Sequence, residues 1–309
     1  MYGPLWQERI TLRKKLNKIM PYLYSTPFFI LIFLFMLCPF VLNIGISFTN
    51  YSMNGRELQF VGTKNYTDVL SNPGTWSAIR LTVVFIIGCV FLTMLLGMFY
   101  AIVMTFRIKG NILVKAFILM PWIIPESVTA YVWKWLFSSD TGMIYYMLQK
   151  AGLIAEGTSF FFDGILAMTM VIMANVWRTA PFVAVMTYAK LSAVPDSYME
   201  AAKMDGANAL QIFRYIKLPF IRPILSRCTM LLFVWSFNSF SIIYILTNGG
   251  PAGATTTLPY LIRQAGFQNF NFAQATALSV TALAIILLCF AALKAGTVIW
   301  KMSRKETVS

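Results

Sequence analysis

Six stretches of the chain are long and apolar enough to cross the roughly 30 Å hydrocarbon core of a bilayer. They lie near residues 24–48, 80–106, 112–137, 165–190, 223–247 and 275–296. Inside such a core every backbone N–H and C=O must find its partner within the protein, which a helix achieves within its own length. Six runs therefore predict an all-α, polytopic membrane protein with six transmembrane helices. Composition agrees: charged residues make up 12% of the 309, about half the roughly 25% of ordinary globular chains. The apolar run that follows residue 23 is too long for the core of a signal peptide, so the first span is expected to remain.

The net charge of +14 would point to nucleic acid in a soluble domain. Here its distribution gives a different meaning. Seventeen Lys and Arg fall in the first 23 residues, 107–115, 190–222 and 294–305, which alternate topologically with segments holding only six. That asymmetry predicts both termini and the 191–222 loop on the cytoplasmic side, and no nucleic-acid partner. The expected layout is a cytoplasmic tail at 1–23, a six-span domain at 24–300 and a second tail at 301–309. Histidine is absent, so no imidazole metal site or Ser/His/Asp or Cys/His set is available. Cys38, Cys89, Cys228 and Cys289 lie in or beside apolar runs without paired spacing and read as packing residues. No G-x-x-x-x-G-K-[ST] loop occurs, so no ATP site is expected in this polypeptide, and no metal site or catalysis.

One segment does not suit its surroundings. Residues 200–219, EAAKMDGANALQIFRYIKLP, are polar, turn-containing and amphipathic, yet lie between two apolar runs. Pro195 suits a first helical turn, and Ser197-Tyr198-Met199-Glu200 matches a capping box, giving two candidate starts. Asp205-Gly206 breaks that helix. A second helix is expected over 208–217, with Ala209, Ile212, Phe213 and Ile216 on one face and Asn208, Gln211 and Arg214 on the other, ended by Leu218-Pro219. A hairpin on lipid headgroups would account for the second helix. Ala201-Ala202 buries too little area for lipid, and Glu200 and Asp205 are repelled by an anionic leaflet, so a protein docking site is the preferred reading.

These residues resemble a known pattern. Glu200-Ala201-Ala202, Asp205-Gly206-Ala207 and Leu218-Pro219 are similar to the EAA motif of permease subunits of bacterial ABC importers. Leu246-Thr247-Asn248-Gly249-Gly250-Pro251 followed by Thr255-Thr256-Thr257-Leu258 resembles an outer loop of the MalF-like, carbohydrate-uptake group. Weaker echoes are Phe60-Val61-Gly62 with Asn65-Tyr66, and Pro121 and Pro125 with Trp133 and Phe137. The resemblance implies a type I importer transmembrane fold and a coupling role for Glu200, Ala201, Ala202, Asp205, Gly206, Leu218 and Pro219. It also implies ATP and Mg in a partner ATPase dimer, a second EAA-bearing permease, an extracytoplasmic solute-binding protein and the bacterial inner membrane. The solute would be a sugar or sugar derivative.

Polar groups inside spans are costly and are candidates for a solute path. They are Glu126, Asn175, Trp177, Arg178, Ser236, Asn238 and Ser239, although Ser and Asn also hold helices together. Arg178 has two readings, an anion or gate contact and an ion pair with a neighbour such as Glu126. Pro121 and Pro125 are expected to kink the third span. An alternative function, an ion-coupled secondary carrier, would need intramembrane acids, and Glu126 is the sole acid near mid-span.

Overall fold

The computed structural model describes residues 20–52, 58–106 and 111–306, and of residues 290 and 292–306 the backbone alone. The expected tails therefore lie largely outside the described residues, as do Arg107 and Lys109. Contacts divide the chain into two compact units, one comprising Met1–Ser71 with Gln264–Ser309 and the other Asn72–Arg263.

The first unit contains α1 (Met20–Ser47), α2 (Lys64–Ser71) and α12 (Phe272–Glu306). A π-helical turn at Phe33–Leu37 precedes Pro39 in α1. The missing proline N–H and its bulky ring favour such a local widening. Small residues, Ala273, Ala277 and Ala282, are buried along α12, which packs on α2 and on the C-terminal part of α1. Asn65 ties the end of α1 in place: its Nδ2 donates to the carbonyls of Ser47 (2.8 Å) and Thr49 (2.7 Å). The Tyr66 hydroxyl and Ser47 Oγ share a 2.6 Å hydrogen bond. The Asn65-Tyr66 echo in the sequence thus has an architectural role.

The second unit is built around α3 (Pro73–Thr105) and α7 (Gly164–Leu191). Asn72-Pro73-Gly74 forms the start of α3: Asn72 Oδ1 accepts from Gly74 N–H at 2.8 Å and Pro73 occupies the first turn. Asp163 caps α7 by accepting from the N–H groups of Ile165 and Leu166. Close approach of the two helices depends on Gly97. A Cβ there would lie 2.5 Å from Val183 Cβ and 2.8 Å from the Ala180 carbonyl oxygen. Phe85, Cys89, Val171 and Ala174 form the core with Ile242 and Ile243.

The third apolar run is broken rather than gently kinked. It consists of α4 (Asn111–Ile123) and α5 (Glu126–Leu136), bent by 103° across Ile124-Pro125, and counts as a sixth span when the pair is taken together. Pro125 forces the preceding residue out of helical geometry, so the break falls there. Pro121 lies within α4. Short α6 (Met143–Lys150) follows, with α8 (Asp196–Met204) after α7.

The fifth span also departs from expectation. Leu218-Pro219 does not end a helix. α9 runs from Ala209 to Asn238, 30 residues, through a π-helical turn at Phe213–Lys217. The wide turn accommodates Pro219 without terminating the helix. α9 instead stops at Asn238, and after Ser239 and Phe240 the chain forms α10 (Ser241–Leu246). α11 (Leu258–Arg263) completes the unit.

Candidate functional site: a polar cluster where two helical segments break

The two breaks meet. Glu126 is the first residue of α5, beyond the Pro125 bend, and its carboxylate reaches the break between α9 and α10. Oε1 accepts from Ser239 Oγ at 2.8 Å and from the Ile242 N–H at 3.1 Å. The second of these satisfies a backbone donor in the first turn of α10, a group without an intrahelical partner. A negative charge there is also favoured electrostatically. Oε2 lies 3.5 Å from Arg178 Nη2, and the two side chains are 25% and 19% exposed. Arg178 Nη2 additionally donates to Asn175 Oδ1 at 3.3 Å, one helical turn earlier on α7. Arg178 Nε is buried without a hydrogen-bond partner.

Of the path candidates, Glu126, Asn175, Arg178 and Ser239 are thus joined by direct contacts. Asn175, Ser236 and Ser239 are buried, and Asn175 and Ser236 lie against Cys89. Trp177 stands apart, packed on Trp133 with ring centroids 6.3 Å apart. Asn238 does not join the cluster. Its side chain is exposed and donates to the Val234 carbonyl at 2.9 Å, back along its own helix. For Arg178 the ion-pair reading holds, although the contact is long.

Two cations missed by sequence reasoning adjoin the same segment. Lys134 Nζ donates to the Ile245 carbonyl at 3.0 Å, near the C-terminal end of α10. Arg263 lies over the Tyr244 ring at 3.9 Å and the Phe240 ring at 5.3 Å. Their sequence positions, at the rims of apolar runs, carried only the signal of interfacial charges.

The NGGP segment is a closed knot. Asn248 and Gly249 adopt left-handed φ of 50° and 79°. Gly249 O accepts from Thr255 N–H and Thr256 Oγ1, and Gly250 O from Thr255 Oγ1. Tyr260 Oη donates toward Asn248 O (2.7 Å) and Oδ1 (3.1 Å). Leu258 N–H donates to Thr82 Oγ1 at 2.8 Å, anchoring the knot to α3. The motif is accordingly a loop lock.

The EAA segment presents the opposite character. No residue of α8 is buried. Its end is a Schellman turn: Gly206 N–H donates to Lys203 O and Ala207 N–H to Ala202 O, with Gly206 at φ +81°. The expected box around Ser197 is absent, because Pro195 precedes the helix and no side chain caps it. The capping box forms one helix later, between Asn208 and Gln211. Ala201 is exposed and Ala202 half-buried, while Met204 is 87% exposed. Leu218 and Pro219 lie in α9, not beside the turn.

Apolar helices long enough to span a bilayer, a part-buried charged cluster at their breaks and an exposed helix closed by a Schellman turn define a polytopic membrane transport protein. The chain belongs to the family of binding-protein-dependent transport system inner membrane components, whose pattern matches residues 93–295. It is 32% identical over 273 residues to a probable ABC transporter permease, y4oQ, of Sinorhizobium fredii, covering 88% of this chain and 86% of that one. It is 30% identical to the trehalose/maltose transport system permease MalF of Thermococcus litoralis (86% and 89% covered). The sn-glycerol-3-phosphate transport system permease UgpA of Brucella abortus is 31% identical (88% and 92%). The fold matches a chain of a bacterial ABC transporter involved in import of the acidic polysaccharide alginate, with TM-score 0.76 and 21% identity over 90% of this chain and 96% of that one. The chain is a permease subunit of an ABC importer and an inner-membrane component. Nothing among these likenesses supports an ion-coupled carrier.

Proposed function

We propose that this permease subunit forms half of the import path for a sugar or sugar derivative. Relatives named for trehalose/maltose and for sn-glycerol 3-phosphate support that solute class. In this reading a separate ATPase dimer binds ATP and Mg and grips α8. A second EAA-bearing permease completes the path, and an extracytoplasmic binding protein delivers the solute.

The observation that carries the coupling role is the exposure of a helix that is nevertheless held firmly. The Schellman turn at Gly206 and the capping box at Asn208 fix α8 to the start of α9. Met204, Leu210 and Tyr215 are exposed. Exposed apolar side chains on a firmly held mount are suited to a protein groove. Glu200, Ala201, Ala202, Asp205 and Gly206 form the contact, and Leu218 and Pro219 transmit its movement along α9. The path is lined by Glu126, Asn175, Arg178, Ser236 and Ser239, with Trp177 and Asn238 at its margins.

The same end of the second unit gathers cations, which supports a cytoplasmic location for α8, and the Lys/Arg asymmetry of the sequence supports the same side for both termini. Lys115 Nζ donates to Tyr188 Oη at 2.8 Å, and Lys190 lies 4.4 Å over the Phe220 ring. Coupling is tested by Met204→Cys in the assembled importer. Bifunctional thiol cross-linking to a cysteine-bearing ATPase subunit is expected, with yield changing when ATP is added. Absence of any cross-link in a complex that transports overturns the assignment.

A further inference from the structure

We propose that Arg178 is an anion ligand in the solute path, so that the transported sugar derivative carries a carboxylate or phosphate group. The proposal rests on the import reading above and adds the charge of the solute.

A guanidinium presents Nε and Nη2 along one edge, spaced to grip the two oxygens of a carboxylate or phosphate together. In Arg178 that edge is half filled. Nη2 has two long contacts, to Asn175 Oδ1 at 3.3 Å and Glu126 Oε2 at 3.5 Å, whereas Nε has none. Charge-assisted pairs of this type ordinarily close to about 2.7–2.9 Å. Glu126 cannot fill the edge without giving up other bonds, because its Oε1 is committed to Ser239 and the Ile242 N–H. It offers Arg178 one oxygen.

Charge balance points the same way. Segment 239–246 and its carboxylate are contacted by Arg178, Lys134 and Arg263, three cations, whereas Glu126 is the acid among these contacts. Arg263 also has a buried donor, Nη1, without an acceptor. Each remaining acid of the second unit lies elsewhere: Asp163 caps α7, Asp140 accepts from Ser139, and Glu156, Asp196, Glu200 and Asp205 are exposed outside the apolar helices. Arg178 and Arg263 are part-buried whereas Lys134 is exposed, and the excess positive charge partly withdrawn from water at the two arginines favours a solute that brings negative charge with it. The rings beside it suit the rest of such a molecule. Tyr244 stacks on Phe240 with centroids 5.5 Å apart, and both lie under Arg263.

The test uses the whole importer in proteoliposomes with its binding protein. Solute extracted from the purified binding protein is classed by mass spectrometry as neutral or acidic and is then the uptake substrate. An acidic solute is expected, and Arg178→Gln should raise its half-saturating concentration at least tenfold. The double variant Glu126→Gln/Arg178→Gln removes both charges and preserves a neutral pair. It should assemble and still show the tenfold defect. A neutral solute, or recovery of uptake in the double variant, overturns the proposal. Failure of loaded binding protein to stimulate ATPase in the unsubstituted importer would instead overturn the import reading itself.

Discussion

Glu126 and Arg178 stand 3.5 Å apart although the one begins a helix after a proline break and the other lies in the middle of an uninterrupted helix. The pair is joined through Ser239 to a second break, so three segments of the permease share one carboxylate. Removing it leaves a hydroxyl and a backbone N–H without their acceptor and the guanidinium without its counter-charge.

Glu126→Ala should therefore lower the thermal unfolding temperature in detergent more than Glu126→Gln, which keeps an acceptor oxygen. Hydrogen bonds to charged groups contribute about 1.5–3 kcal/mol each, less where water reaches them. Unfolding monitored by tryptophan fluorescence distinguishes the two, and equal effects would contradict the capping role of Oε1.

Gly206→Ala places a Cβ at φ +81°. The left-handed conformation costs a non-glycine residue about 1–2 kcal/mol, enough to loosen the Schellman turn while the spans stay inserted. Solute uptake is expected to fall several-fold at unchanged membrane abundance. Full uptake would show that the orientation of α8 does not depend on this turn.

Gly97→Val should be severely destabilising. Even a single added carbon meets Val183 and the Ala180 carbonyl, and these belong to the closely packed α3–α7 pair. Overpacking of this kind typically costs about 1–3 kcal/mol, and more where backbone must move. Loss of monodisperse protein on size-exclusion chromatography is the expected result, with Gly97→Ala intermediate.

Tyr260→Phe deletes the donor to Asn248 O and Oδ1 without changing the ring. A loss of about 1 kcal/mol is expected, localised to the knot. Hydrogen exchange at residues 247–257 should quicken while α3 and α7 keep their protection.

ATP turnover supplies the last prediction. The purified subunit alone should hydrolyse no ATP, and activity should appear when the ATPase subunits are added. Turnover that survives removal of every partner would place a nucleotide site in this chain.

Much of this arrangement is legible in the residues. Continuous apolar runs marked the approximate place of the spans, because a helix hides its backbone from lipid within its own length, but not the 103° bend in the third. Asp205-Gly206 marked the Schellman turn, since glycine alone takes its φ without strain. The Glu126–Arg178 pairing was one of two stated readings of Arg178. What escaped depended on long-range geometry. Leu218-Pro219 looked like a stop, but the π-helical turn before it absorbs the proline. The real interruption, at Ser239-Phe240, has no proline or glycine, and the donors it frees are satisfied by Glu126 from 113 residues away. Asn238 and Ser239 are neighbours in sequence, yet one folds back on its helix and the other enters the cluster. The break separates their directions.

At 30 residues α9 is about 45 Å long, roughly 15 Å more than the hydrocarbon it has to cross. That surplus, taken up by tilt or by projection, is of one piece with the rest of the helix. Its N-terminal length carries Leu210 and Tyr215, both exposed, and its far end stops beside Ser239. Under the coupling proposed above, a twist applied near Leu210 would reach Ser239 through the widened turn at Phe213–Lys217 and past Pro219 and Pro223, so the stiffness of that stretch would set how faithfully it becomes a displacement at the carboxylate.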